Sequence, residues 1–368
     1  MFETSKVKCV LIFSLLNIIF SYSFADEINH SIKPAYHWGR GLKVPSADLN
    51  LGGYINIAYE QHESKQDIIE LDDLSLFISW SPHSQVRFFA ELEMESLIST
   101  DGIANFSESF SLERLYVDFL ATESFSIRFG QFLTPVGRWN TTHAAPLVWT
   151  TSRPIATESH FFPSRSNGLM LTKQFVVNDH DLDISVYFDD SADLDVRKIE
   201  NTFKNKHTKH EIDHEVAFEY AIGTHIIYEP ISLFKTSFSY LAFKKHADEK
   251  LSTNHLLGLD LFWQDDGYEM QMELAYRTAA DEQGSETSTY IQGIVPITYN
   301  MFAVGRYEFI NGTHQLSSGS INGTTHVGVP ALAWRPYSPL VLKAEYRFGN
   351  NNKEIAPSGF FTSVSMLF

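Results

Sequence analysis

The chain has 368 residues, 45 of them acidic and 28 basic, for a formal net charge of −17, with one cysteine and a 14% share of aromatic residues. Such acidity excludes nucleic acid as a partner, and a single cysteine excludes a disulfide framework. Past residue 25 no stretch approaches the roughly 18 consecutive apolar residues of a spanning helix, so any membrane crossing must be made by strands.

Lys6 and Lys8 precede an apolar run from Cys9 to Phe20 and the small-x-small pattern Ser23-Phe24-Ala25. This predicts a secretory signal peptide over 1–25, cleaved after Ala25 and too short in its apolar core to anchor. Cleavage removes Glu3, Lys6, Lys8 and Cys9, which takes the formal net charge from −17 to −18 and leaves no cysteine. Residues 26–48 are then a short periplasmic lead-in, and 49–368 are the remaining domain.

From residue 49 onward, segments about ten residues long alternate apolar and polar side chains, the period of a strand with one face in an apolar medium. They fall at 49–60, 71–80, 86–95, 110–120, 124–133, 166–177, 180–190, 214–229, 231–245, 254–265, 268–277, 286–297, 299–309, 322–335, 340–348 and 359–368. In 86–95, Val86, Phe88, Ala90, Leu92 and Met94 oppose Arg87, Glu91, Glu93 and Glu95. In 268–277, Tyr268, Met270, Met272, Leu274 and Tyr276 oppose Glu269, Gln271, Glu273 and Arg277. In 359–368, Phe360, Thr362, Val364, Met366 and Phe368 share a face, and a closing strand ending on an aromatic resembles the assembly signal of outer-membrane barrels. The prediction is an all-β transmembrane antiparallel barrel of about sixteen strands. Pro296 and Pro330 require a strand end or a bulge, and Gly52-Gly53 reads as a bend in the first strand.

Connections alternate in length. Short turns at 81–84, 121–123, 178–179, 229–230, 264–267 and 335–338 carry Pro, Asn, Asp and Gly, while longer polar loops occupy 61–70, 96–109, 134–165, 191–213, 246–253, 279–285, 310–321 and 349–357. That is the short-periplasmic, long-external pattern of an outer-membrane barrel. Aromatics near strand ends, Tyr59, Trp80, Phe119, Tyr228, Trp263, Tyr276, Phe309, Trp334 and Tyr346, are expected to form the two interfacial girdles.

Sixteen strands enclose more space than their own side chains fill, so a water-filled passage is the expectation. The longest loop, 134–165, is too apolar for an external excursion, with Pro135, Trp139, Ala144, Ala145, Pro146, Leu147, Val148 and Trp149. It is expected to fold inward as a constriction loop, packing its apolar groups on the wall and presenting Arg138, His143, Arg153, His160 and Arg165 to a solute, with Arg114 and Arg128 on strands behind them. Arg87, Arg306, Lys343 and Arg347 share lumen parity with Glu91, Glu93, Asp118, Asp183, Glu273, Glu308 and Glu345, a mixed surface in which charges can also pair with one another.

Gly130-Gln131-Phe132-Leu133-Thr134-Pro135-Val136-Gly137 resembles the Gly-Gln-Phe-x-x-Pro-x-Gly stretch of the phosphate- and polyphosphate-selective (O and P type) porins. Leu112-Glu113-Arg114-Leu115-Tyr116-Val117-Asp118, Trp334-Arg335-Pro336 and Leu342-Lys343-Ala344-Glu345-Tyr346-Arg347-Phe348 fit the same family. The resemblance spans most of the mature chain, and its motifs are architectural. It implies a sixteen-stranded homotrimeric porin of a Gram-negative outer membrane, delivered by the barrel assembly machinery through Phe368, that passes small hydrophilic solutes or ions such as phosphate.

Other constellations weigh less. His207, His210 and His214 in loop 191–213 could capture a divalent metal, but they lie among Lys204, Lys206 and Lys209, where solvated histidines are the commoner outcome. An adhesin or metal-capturing barrel with an occluded lumen is therefore the alternative reading. No signature assembles a nucleophile, base and orienting group, so neither enzymatic activity nor a resident cofactor or metal is expected.

Overall fold

Alternate side chains face hydrocarbon and the interior, and in the computed structural model this pattern closes into one antiparallel cylinder. The structure describes residues 33–62, 67–100, 102–103, 110–157, 161–190, 217–245, 253–278, 285–316, 319–350 and 356–368. The predicted leader, the His207, His210 and His214 group, and His160 lie outside the described residues.

A small hairpin, β1 (Ala35–His37) and β2 (Gly41–Val44), leads into β3 (Leu49–His62), β4 (Ile68–His83) and β5 (Val86–Ser99). A two-residue strand, β6 (Gly102–Ile103), precedes β7 (Phe110–Thr122), β8 (Phe125–Leu133), β9 (Arg165–Val177) and β10 (His180–Asp189). Then follow β11 (Phe218–Ile231), β12 (Phe234–Lys245), β13 (Asn254–Asp265), β14 (Tyr268–Thr278) and β15 (Ser285–Thr298). The last four are β16 (Met301–Leu316), β17 (Gly319–Tyr337), β18 (Leu340–Asn350) and β19 (Gly359–Leu367). Apart from β1, β2 and β6, these are the sixteen barrel strands, each paired to its neighbours in chain order.

The seam joins β19 to β3, from Gly359 opposite His62 to Leu367 opposite Tyr54. Beyond it the Gly53 N–H donates to the Phe368 carbonyl at 3.1 Å, and the Phe368 N–H donates to the Gly53 carbonyl at 2.9 Å. Gly53 is less a bend than a space, because a Cβ there would meet the Phe368 ring at 2.8 Å. The prolines find the positions their missing N–H requires. A register shift follows Pro296, and the β17–β18 ladder skips Val329 and Pro330.

The outer face carries exposed apolar side chains, among them Ile57, Leu76, Val117, Phe129, Leu259, Ile291 and Leu332. Tyr228, Trp334 and Tyr276 are exposed near strand ends, where amphipathic rings suit an interface. The inner face is unequal. From β11 to β17 it carries buried Leu241, Phe243, Leu256, Ile310, Val327 and Val329, whereas on β3 to β8 it is built from polar, charged and aromatic groups.

Candidate functional site

An apolar inner wall facing water would cost about 25 cal/mol for each Å² left wet. Residues 134–157 and 161–165 cover it. Phe132, Val136, Ile155, Phe161 and Phe162 pack with Leu241, Phe243, Leu256, Val327 and Val329 in one buried cluster. Trp149 packs with Phe302 beside a second cluster of Ile294, Val304 and Ala331.

Entry to the segment is set by Gly137, whose φ of +67° and contact with the Glu273 carboxylate leave no room for a Cβ. A short helix, α1 (Trp139–Thr142), follows. Asn140 ties the ends of the segment together, its side-chain amide donating to the carbonyls of Thr134 at 2.8 Å and Ser164 at 2.9 Å.

Three carboxylates from the wall then accept backbone N–H groups of the segment. Glu273 on β14 takes Trp139 at 2.7 Å, and Glu308 on β16 takes Ile155 at 2.7 Å. Glu345 on β18 takes both Thr151 at 2.7 Å and Ser152 at 2.9 Å. Two cations hold its carbonyls. Lys343 donates to Ala145 at 3.0 Å and Thr150 at 3.1 Å, while Arg306 donates to the Ser152 carbonyl at 2.9 Å and to Glu308 at 2.8 Å. The fixed charges of this wall are thus spent on the main chain of 134–165, in charge-assisted bonds stronger than neutral ones.

The sequence-predicted site residues divide into two groups. Arg153 turns back into its own segment, donating to the Thr157 carbonyl at 2.6 Å and the Asn140 side-chain oxygen at 3.3 Å. Arg165 is nearly enclosed, with Nη1 3.2 Å from Glu113 and 3.0 Å from the Leu112 carbonyl. His143 lies 3.5 Å from the same Glu113, and its Nδ1 meets the Asn140 carbonyl at 2.9 Å. Burial lowers its pKa, against the opposing pull of Glu113. The Arg138 guanidinium stacks 3.8 Å from the Phe262 ring centroid.

Arg114 and Arg128 lie elsewhere, on the inner face of β7 and β8, with side chains 23% and 27% exposed. Arg114 pairs with Glu91 and sits 4.8 Å from the Phe89 ring centroid. Arg128 meets both Asp118 oxygens, at 2.7 and 2.9 Å, and sits 3.8 Å from the Tyr116 ring centroid. Among the described residues no group of three or more His, Cys, Asp or Glu side chains is arranged to hold a metal ion.

Period-two parity placed Glu273, Glu308, Glu345, Arg306 and Lys343 on the inner face but could not name their partners. Those partners are main-chain groups more than 130 positions away, which leave no trace in side-chain spacing.

No family model matches the chain. An uncharacterized protein of Aquifex aeolicus (strain VF5) is 23% identical over 346 residues, covering 81% of this chain and 75% of that protein. Among solved structures, the Salmonella typhi OmpF complex with daunomycin superposes with a TM-score of 0.62 at 12% identity, covering 88% of this chain and 98% of that one. The anion-selective porin from Comamonas acidovorans gives a TM-score of 0.58 at 13% identity, with 88% and 100% covered. The outer membrane channel DcaP of Acinetobacter baumannii gives 0.56 at 13% identity, with 89% and 100% covered. The fold is that of a sixteen-stranded porin barrel.

Proposed function

We propose that this protein is a passive diffusion channel of a Gram-negative outer membrane, exported by a cleaved leader and assembled as a homotrimer, for small hydrophilic solutes and ions. The observation that carries this reading is the division of the inner face. One half is sealed beneath 134–165, and the other keeps Arg87 exposed and Phe77, Phe89, Arg114, Tyr116 and Arg128 partly exposed, a lining that only water or a passing solute would wet. Residues 134–165 then act as the constriction, narrowing the bore from one side.

Within this reading Arg87, Arg114 and Arg128 are the solute-facing cations. Arg153, Arg165 and His143 position the constriction, and Arg138 anchors on Phe262. Anion passage, phosphate included, is the finer form of the proposal. It draws support from the family resemblance, and from Arg87, whose register partner Asp118 has both oxygens engaged by Arg128.

Single-channel recording of the purified protein in a planar bilayer tests both levels. Discrete conductance steps in KCl are expected, with a reversal potential in a salt gradient that moves toward cations in Arg87→Gln. A bilayer that stays silent at saturating protein would leave an occluded barrel and overturn the proposal.

A further inference from the structure

The inner face of a water-filled barrel is ordinarily polar, yet four neighbouring strands here each turn an aromatic ring inward at the edge of the uncovered wall. Tyr54 on β3, Phe77 on β4, Phe89 on β5 and Tyr116 on β7 form a continuous arc, with successive ring centroids 5.8, 6.1 and 5.4 Å apart. The Tyr54 hydroxyl donates to Glu93 at 2.9 Å, which closes that end of the arc. Phe77, Phe89 and Tyr116 remain partly exposed.

Guanidinium groups frame the arc. Arg114 lies over Phe89 and Arg128 over Tyr116, while Arg87, two residues before Phe89 and on the same face, is exposed. The two carboxylates beside these guanidiniums are engaged. Glu91 accepts Ser75 Oγ at 2.9 Å and pairs with Arg114, and Asp118 gives both oxygens to Arg128. Among the described residues no partner is recorded for the Arg87 guanidinium, both Nη atoms of Arg114 and Nη1 of Arg128.

Resting on the channel reading, we infer that this arc is a binding subsite for solutes that join a planar aromatic ring to an anionic group, the ring packing against the partly exposed Phe77, Phe89 and Tyr116 beside the guanidiniums that cover them, and the anion taken by Arg87 and the Nη atoms of Arg114. Both parts are needed. Guanidiniums alone would take any small anion, whereas a ring beside fixed cations prefers an anion that carries its own flat π face.

Benzoate and cyclohexanecarboxylate test this, since they share charge and approximate size and differ in planarity and π electrons. Blockade of the KCl current by each, added at millimolar concentration, is read in planar bilayers, and equilibrium dialysis of each against the detergent-solubilised protein is read in parallel. Wild type is expected to be half-blocked by benzoate at a concentration about three- to tenfold lower than by cyclohexanecarboxylate, the span that one or two ring contacts give. The double variant F89L/Y116L, which keeps apolar bulk, should bring the two concentrations together. Arg87→Gln, at an exposed position that tolerates change, should weaken both anions. Equal blockade by the two acids in wild type, or blockade by benzylammonium as strong as by benzoate, would overturn the inference. A protein that conducts no KCl overturns the channel reading instead, and the dialysis ratio then decides the subsite by itself.

Discussion

Glu345 is 2% exposed and accepts two main-chain N–H groups of the inner segment, so replacing its carboxylate by an isosteric amide, Glu345→Gln, probes what holds that segment to the wall. A hydrogen bond to a charged group contributes about 1.5–3 kcal/mol and a neutral one about 0.5–1.5. The amide keeps one neutral acceptor and turns its NH₂ toward the second N–H, so the local attachment weakens by about 2–5 kcal/mol. The lower end is a roughly thirtyfold rise in the population in which Thr151 and Ser152 are released. Hydrogen exchange followed by mass spectrometry measures this, because exchange from the native state tracks local opening. Peptides covering 146–157 should lose protection by at least that factor, while a peptide around Trp139, held by Glu273, should not. Glu273→Gln should give the reverse pattern. Protection at 151–152 within about threefold of wild type would refute the assignment of these carboxylates as anchors.

Further outcomes follow from the same geometry. Arg306→Met leaves Glu308 buried without its cation and should cost about 3–5 kcal/mol, read as a lower temperature for conversion from the folded to the unfolded gel band, with Arg306→Lys intermediate. Gly53→Val crowds the Phe368 ring and should abolish the folded band, whereas Gly293→Val, whose Cβ direction is open, should leave it intact. Leu259→Arg, on the lipid face, should destabilise by about 2–4 kcal/mol if it lies near the bilayer midplane, while the same residue at the inward Gln271 is tolerated, as measured by urea titration in lipid. Burial disfavours protonation of His143, so the stability it contributes as a neutral group is present above about pH 6.5 and falls as the pH drops below it. The loss of thermal stability between pH 7.5 and 5 should be smaller in His143→Gln than in wild type.

Strand identity was legible because hydrocarbon on one side forces a period of two, and 254–265 was placed to the residue. Boundaries slipped where that force ends. The segment expected at 299–309 runs from Met301 to Leu316, and beyond Ile310 the sequence Asn311-Gly312-Thr313-His314-Gln315 loses the apolar alternation that marks a strand. The apolar inner wall was partly visible in Phe238, Tyr240, Leu241 and Phe243, a run apolar on both faces. Its meaning depended on what covered it, and the covering segment lies about a hundred positions earlier. The charge of Arg165 and Arg153 is visible in the sequence, whereas the Glu113 side chain and the Thr157 carbonyl that engage them are set by folding. The arc of Tyr54, Phe77, Phe89 and Tyr116 was hidden for a similar reason. Each ring is an isolated exception on its own strand, and only register brings the four side by side.

Covering part of the inner face makes the cylinder two layers thick from β11 to β18, while β3 to β5 stay a single layer. In the proposed channel the passage is therefore offset from the cylinder axis, with a laminate on one side and a single sheet on the other. A solute of that channel would run nearer the single sheet, which bears the aromatic rings and the guanidinium groups.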